Sequence, residues 1–369
     1  MAEVIKIVLT GGPCAGKSVA LRYVSEQLSS LGFEVITLEE QATKLILSGK
    51  TPHNMGNYEF HKLLFELELK SELEAVKKAE QMNCEKVVVL FDRGLLDNRA
   101  FVSQEEFDRY SSLNGVSEDQ IRNSYNAVFH LVTAANGAEE HYNLENPARS
   151  ETIDEACLID SNIIAVWTGT PHLRIIDNST NFNEKLNRLM TEVKAFLGIP
   201  KPLEIERKFL IKYPDINFLN SLKCCRKISI TQAYLTTPKE GYFRIRKRGI
   251  GSDAVYIKTV KKKISDIKRI EIENYISELE YYTYLEQTQY ITGIISKDRY
   301  CIVDSSTYYE LDVYPFWDDK ATIEIELISE NQPYKLPEFV KLIREVSFDK
   351  DYRNLALAQK YGNLSKTAN

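Results

Sequence analysis

Eight consecutive residues, Gly11-Gly12-Pro13-Cys14-Ala15-Gly16-Lys17-Ser18, fit the pattern Gly, any four, Gly-Lys-Ser/Thr, and with their flanks they limit the fold more than any other part of the chain. Before them, Val4-Ile5-Lys6-Ile7-Val8-Leu9 reads as a buried strand. After them, Val19 to Leu28 reads as a helix with apolar residues at Leu21, Val24 and Leu28. In a strand–loop–helix unit the loop N–H groups and the helix N-terminus converge on an anion. Glycines let the backbone approach it without a Cβ in the way. Gly11, Gly12, Pro13, Cys14, Ala15, Gly16, Lys17 and Ser18 are therefore expected to cradle the phosphates of a nucleoside triphosphate. Lys17 would reach the terminal phosphates and Ser18 a magnesium ion. No clear Asn-Lys-x-Asp segment selects guanine, so ATP and GTP stay open.

At 369 residues the chain is long enough for two domains, and the pattern changes once. Residues 1–198 alternate strands and helices, which predicts a parallel sheet with flanking helices. The strand candidates are Ile5–Leu9, Val35–Leu38, Val87–Phe91, Phe129–Val132 and Leu173–Ile176. Gly198, Pro200 and Pro202 then mark a linker. Residues 199–369 alternate charged and apolar side chains with period two, which predicts antiparallel strands. A net charge of −6 argues against general nucleic-acid affinity. With no long apolar run, no transmembrane segment is expected. The six cysteines lack metal-ligand spacing, and reduced thiols in a cytoplasmic setting account for them. Lys261-Lys262-Lys263 reads as a solvated hairpin that could touch anionic lipid at a membrane surface.

In the first domain, Val87–Phe91 runs into Asp92, an acid placed to hold magnesium through water or to orient Ser18. Arg93 follows directly. Glu39 and Glu40 close the second strand, where Glu40 is either a general base on an acceptor hydroxyl or a solvated strand end. Residues 135–170 look like a lid, with Arg149 a candidate to stabilise charge on a transferring phosphoryl group. The strand ending near Asp177, with Trp167 nearby, is where a base would rest. With Leu9–Ser18, Glu40-Gln41-Ala42-Thr43 and Phe91-Asp92-Arg93-Gly94, this half resembles a phosphate-loop ATPase family. That AAA-like family includes the nicotinamide-riboside kinase part of a bacterial NAD regulator and the fly TRPL translocation defect protein. The resemblance implies the fold, with kinases and GTP-binding regulators both among its members.

The second domain opens on Glu204-Ile205-Glu206-Arg207-Lys208, which puts Glu204, Glu206 and Lys208 on one strand face. The same alternation groups Arg244, Arg246 and Arg248; Glu271 and Glu273; Glu310 and Asp312; and Glu324 and Glu326. Lys258, Lys297 and Arg299 add cations on strand-like segments. Charges of both signs on several strands suggest one concave site. Acids would hold a divalent metal through oxygen, and arginines would grip a polyanion. Glu204-x-Glu206-x-Lys208, Arg244 and Arg246, and Glu324 and Glu326 resemble the CYTH, or triphosphate tunnel metalloenzyme, family.

That resemblance implies an eight-stranded antiparallel β-barrel with a charged bore, Mg²⁺ or Mn²⁺ on Glu204, Glu206, Glu324 and Glu326, and a catalytic part for Lys208. It implies hydrolysis of a triphosphate-containing ligand. The alternative is a nucleotide-dependent regulator whose barrel binds a phosphorylated small molecule, a phosphoinositide headgroup included, without turnover.

Overall fold

A computed structural model describes residues 2–143, 151–201, 203–237, 241–265, 268–287, 289–290 and 293–362. The chain divides into two units, Met1–Thr191 and Glu192–Asn369. The first contains β1 (Glu3–Thr10), α1 (Lys17–Ser30), β2 (Glu34–Leu38), α2 (Gln41–Leu47), α3 (Pro52–Met55), α4 (Asn57–Glu80) and β3 (Lys86–Asp92). It continues with α5 (Gln104–Leu113), α6 (Glu118–Ser124), β4 (Ala127–Leu131), α7 (Ile153–Trp167), β5 (Leu173–Ile176) and α8 (Phe182–Phe196), the last crossing the division. The strands form one sheet in the order β2-β3-β1-β4-β5, and every pairing is parallel. Apart from its first residue, β3 is buried throughout, and so is all of β4, as parallel strands covered on both faces require. Helices start where the sequence can cap them: Ser103 accepts from the Glu106 N–H, and Thr152 from the Glu155 N–H.

The second unit is antiparallel. Its elements are β6 (Leu203–Lys212), α9 (Ile216–Ser221), β7 (Cys225–Thr237), β8 (Gly241–Arg248), β9 (Val255–Lys263), β10 (Lys268–Ile276) and α10 (Glu278–Gln287). After them come β11 (Gln289–Tyr290), β12 (Ile295–Asp304), β13 (Thr307–Val313), β14 (Lys320–Glu326), β15 (Leu342–Glu345) and α11 (Asn354–Tyr361). The order β10-β9-β8-β7-β12-β13-β14-β6 closes on itself, because β10 also pairs with β6. A ring of strands has no free edge, and the expected barrel is observed.

Alternation along the strands sorts the two faces. Ile205, Phe209, Ile211, Ile302, Leu311 and Ile323 pack outward with Leu219 of α9. On the inward face, β6 passes from Glu204 and Glu206 to Lys208 and then to Leu210. Leu210 joins Tyr314, Trp317, Val346 and, from α11, Leu357 and Ala358. Apolar side chains therefore fill the interior beyond Lys208, and the charged stretch lies on the other side of that lysine.

Candidate functional sites: a phosphate loop and a charged barrel interior

The loop after β1 takes backbone conformations that a side chain would resist. Gly16, the residue before α1, has φ 85°, and a Cβ there would meet the Phe182 ring at 2.5 Å. At Gly12 a Cβ would sit 2.7 Å from Asp160 Oδ1. That closeness has a purpose, since the Gly12 N–H donates to the same oxygen at 2.7 Å. Asp160, on α7, also accepts from the Thr133 N–H at 3.2 Å and lies 3.0 Å from His130 Nε2. One buried carboxylate thus ties the loop to the end of β4 and to α7.

Lys17 is buried and donates to the Gly11 and Gly12 carbonyls at 3.0 and 2.9 Å. Burial, then the neighbouring Arg93, pull its pKa below the usual lysine range. The Ser18 hydroxyl donates to Asp92 Oδ2 at 2.9 Å. Asp92 Oδ1 is buried and has no hydrogen-bond partner among the described residues. An unpaired carboxylate oxygen beside a hydroxyl is a donor set that fits Mg²⁺, whose other ligands are water and phosphate.

Glu40 is neither a free base nor a solvated strand end. It stands just before α2 and binds Arg93 Nε through Oε1 at 2.5 Å, while Thr43 donates to Oε2 at 2.8 Å. Burial would raise its pKa, but Arg93 and Lys17 outweigh burial and bring it to about 2. A carboxylate that acidic accepts a proton poorly, so its clearest effect is to aim Arg93. Arg93 itself adopts φ 73°, unusual for a side-chain-bearing residue, and reaches the Gly11 carbonyl at 3.4 Å. Arg149 lies outside the described residues. Trp167 is fully buried, packs against Tyr125 and donates to Asp97, so it belongs to the core and not to a base site.

A cavity of about 400 Å³ opens from the loop residues Pro13–Val19. Glu40, Arg93, His61 and Asn98 line it, and the last two carried no motif by which sequence reading could find them.

In the barrel, the inward charges form one network. Arg299 donates to Asp312 Oδ1 and Oδ2, both at 2.7 Å, to Glu324 Oε2 at 3.1 Å, and to Glu310. Lys297 pairs with Asp312, and Lys208 Nζ lies 2.7 Å from Glu324 Oε1. Burial disfavours charge on Lys208, but Glu324, together with Tyr314, Glu206 and Asp312, outweighs it and raises its pKa. Lys208 thus stands in the network as a cation paired with Glu324. Burial opposes the charge on Glu324 as well, and Lys208 and Arg299 hold it ionised. Arg244 and Arg246 both reach Glu273 Oε1, at 3.2 and 3.0 Å.

Two cations differ from expectation. Lys258 lies on the outer face, with its ammonium 4.7 Å from the Phe243 ring centroid and 3.0 Å from the Tyr284 hydroxyl. Lys261, read as part of a solvated hairpin, is instead on the inner face and binds both Glu204 oxygens at 3.0 Å. Glu324, expected on a metal, is engaged by cations. Among the described residues no group of three or more His, Cys, Asp or Glu side chains could hold a metal ion. Glu206 and Glu326 are direct partners across β6 and β14, and Glu326 is exposed. Their carboxylate oxygens are of the donor type that a divalent ion takes, short of a full protein cage.

Among the described residues no helix is long and apolar enough to cross a membrane. Residues 6–185 match the family model of an AAA domain, and residues 202–350 match that of a CYTH domain. Both resemblances read from the motifs hold at this level. No curated protein matches the chain. Among solved structures, the inorganic triphosphatase NE1496 is 28% identical, with 43% of this chain and 97% of that chain covered and a TM-score of 0.29. The PH1819 protein from Pyrococcus horikoshii OT3 is 21% identical over 35% of this chain and 80% of that chain, with a TM-score of 0.26. A putative adenylyl cyclase from Hippeastrum, described as having a dominant triphosphatase activity, is 15% identical over 33% and 80%, with a TM-score of 0.25.

Proposed function

We propose that this chain, an AAA domain followed by a CYTH domain, carries two phosphate-handling sites. The first unit binds a nucleoside triphosphate with Mg²⁺ at Gly11–Ser18 and Asp92. The second binds a triphosphate-bearing ligand inside the barrel and hydrolyses it with a divalent metal. The first assignment is carried by Asp92 Oδ1, buried without a partner among the described residues beside the Ser18 hydroxyl at the start of α1. For the second, the support is a barrel interior in which buried cations and acids neutralise one another. Phosphate oxygens can replace carboxylates on Arg244, Arg246, Lys208, Lys297 and Arg299 with little change in charge pairing. The cations then orient the chain of phosphates. A divalent ion there supplies charge stabilisation to the leaving diphosphate. In hydrolysis, a water oxygen bonds to the terminal phosphorus as its bond to the bridging oxygen breaks.

Lys17→Ala removes the cation beside the terminal phosphates. Its affinity for ATP or GTP should fall about tenfold or more, measured by calorimetry, with the circular dichroism spectrum retained. Unchanged affinity would sink the nucleotide site. Phosphate release from inorganic triphosphate, with Mg²⁺ or Mn²⁺ and with chelator, tests the barrel. Binding without any release identifies the regulator instead.

The barrel should also bind more tightly at lower pH. Burial, then Arg299, pull Lys297 down to about 8, against the pull of Asp312. Below that pH Lys297 is charged, and a polyanion favours the charged form. Triphosphate affinity should therefore rise by up to about tenfold from roughly pH 9 to pH 7, and Lys297→Met should flatten the slope. A wild-type affinity independent of pH would exclude Lys297 from the site.

A further inference from the structure

Three successive residues of the phosphate loop are tied to the chain behind it. The Gly12 N–H donates to Asp160 Oδ1 on α7, at 2.7 Å. The Thr133 hydroxyl donates to the Pro13 carbonyl, and the Ala134 N–H to the Cys14 carbonyl at 3.3 Å. The first tie differs from the others in reaching Lys17. The Gly12 N–H belongs to the Gly11–Gly12 peptide, whose own carbonyl, that of Gly11, accepts from Lys17 Nζ at 3.0 Å. In a trans peptide the N–H and the C=O point in opposite directions. Asp160 and Lys17 therefore grip one plane from its two sides.

That plane has little else to orient it. A glycine on each side leaves it freer to turn over than a peptide flanked by Cβ atoms. Turned over, it would aim the Gly11 carbonyl at the Asp160 carboxylate and an N–H at the Lys17 ammonium, so both ends would repel. Asp160 is suited to prevent this. It is 3% exposed, and the same Oδ1 accepts from the Thr133 N–H at 3.2 Å, with His130 Nε2 3.0 Å away. Without that oxygen, the Gly12 and Thr133 N–H groups would lose a shared acceptor in a site closed to water. Burial opposes the charge on Asp160, but His130 and the two N–H groups outweigh burial and lower its pKa. An ionised acceptor holds an N–H more strongly than a neutral one.

We propose that Asp160 is a positioning residue for nucleotide binding, one that fixes the Gly11–Gly12 peptide and so holds Lys17 in place before the nucleotide arrives. The inference rests on the nucleotide site proposed above and deepens it. The cavity in front of the loop is lined by Pro13–Val19, and neither Gly12 nor Asp160 is among its described lining residues. Asp160 thus acts from behind, through Gly12 and Lys17, and not on the nucleotide itself. A loop ordered in advance spends less of its binding energy on ordering.

The test is calorimetry of the full chain with ATP and with GTP, each with Mg²⁺. Asp160→Asn keeps an oxygen that can accept from both N–H groups, and affinity should stay within about threefold of wild type. Asp160→Leu keeps the bulk and removes the acceptor, and affinity should fall about tenfold or more. Calorimetry reports the dissociation constant separately from the fraction of chain competent to bind. A carboxylate that only supports the fold would lower that fraction and leave the dissociation constant unchanged in Asp160→Leu, which overturns the proposal. Equal losses in the Asn and Leu variants overturn it too, because the accepting oxygen would then be irrelevant. If Asp160→Leu does not fold, Gly12→Ala breaks the same contact from the loop side, since its Cβ would meet Asp160 Oδ1 at 2.7 Å. That variant should also bind about tenfold more weakly with its circular dichroism spectrum retained, and wild-type affinity there overturns the proposal. A wild-type chain that binds neither nucleotide overturns the site itself, and the role of Asp160 with it. Binding that is weakened by Lys17→Ala and untouched by Asp160→Leu overturns the role of Asp160 alone.

Discussion

Replacing Arg299 with alanine should destabilise the second unit by about 3–5 kcal/mol, the usual cost of leaving a buried charge without its partner. Its side chain is 7% exposed and serves Asp312, Glu310 and Glu324 at once. Asp312 is fully buried, so water cannot take over. After the change, two lysines, Lys297 and Lys208, remain against three carboxylates. Arg299→Lys should recover part of the loss, because it restores the charge but not the two-pronged grip on Asp312. The chain has two tryptophans, Trp167 and Trp317, one in each unit. In a Trp167→Phe background, urea unfolding followed by Trp317 fluorescence reports the second unit. Compared in that same background, a loss below about 1 kcal/mol would mean that the network contributes little and that its acids are readily neutralised by protonation.

What the sequence made legible, and what it hid, follows from how far each signal reaches. The phosphate loop is contiguous, and its strand, glycines, lysine and helix all lie within one short stretch. Its anchor is not: Asp160 stands 148 residues from Gly12, and nothing local marks an aspartate on α7 as the loop's acceptor. His61, Asn98 and Glu68 meet only when α4 packs beside the segment after β3. In the barrel, period-two alternation correctly grouped Glu204 with Glu206 and Lys208, and Arg244 with Arg246. It could not say which face of β9 points inward. Lys258 and Lys261 have opposite parity, so only one can share a face with Thr259, whose hydroxyl lies 3.1 Å from Arg244. Both faces of this strand are covered, the outer one by Phe243, Tyr281 and Tyr284. Burial pattern alone therefore does not reveal the inner side. Composition likewise counts acids and cations without saying that Glu324 is held by Lys208 and Arg299.

Glu206→Gln together with Glu326→Gln should then lower metal-dependent triphosphate hydrolysis by at least about a hundredfold, since a lost metal removes both charge stabilisation and positioning. The two residues are register partners on adjacent strands. Glutamine keeps their shape, and Glu326 is exposed, so folding should be little affected. Raising the metal concentration should restore part of the rate, because a neutral amide oxygen is a weaker ligand than a carboxylate and is still a ligand. Arg244→Ala with Arg246→Ala should behave differently. Both guanidinium groups bind Glu273 and would hold phosphate oxygens. Triphosphate affinity should fall first in this variant, and added metal should not rescue it. Calorimetry with triphosphate, alongside phosphate release across a metal titration, separates the two patterns. If the glutamine pair hydrolyses triphosphate at the wild-type rate and metal dependence, Glu206 and Glu326 do not hold the metal. If both variants lose affinity alike and neither responds to metal, the interior acts as one undivided polyanion site, and the division of labour proposed for its charges fails.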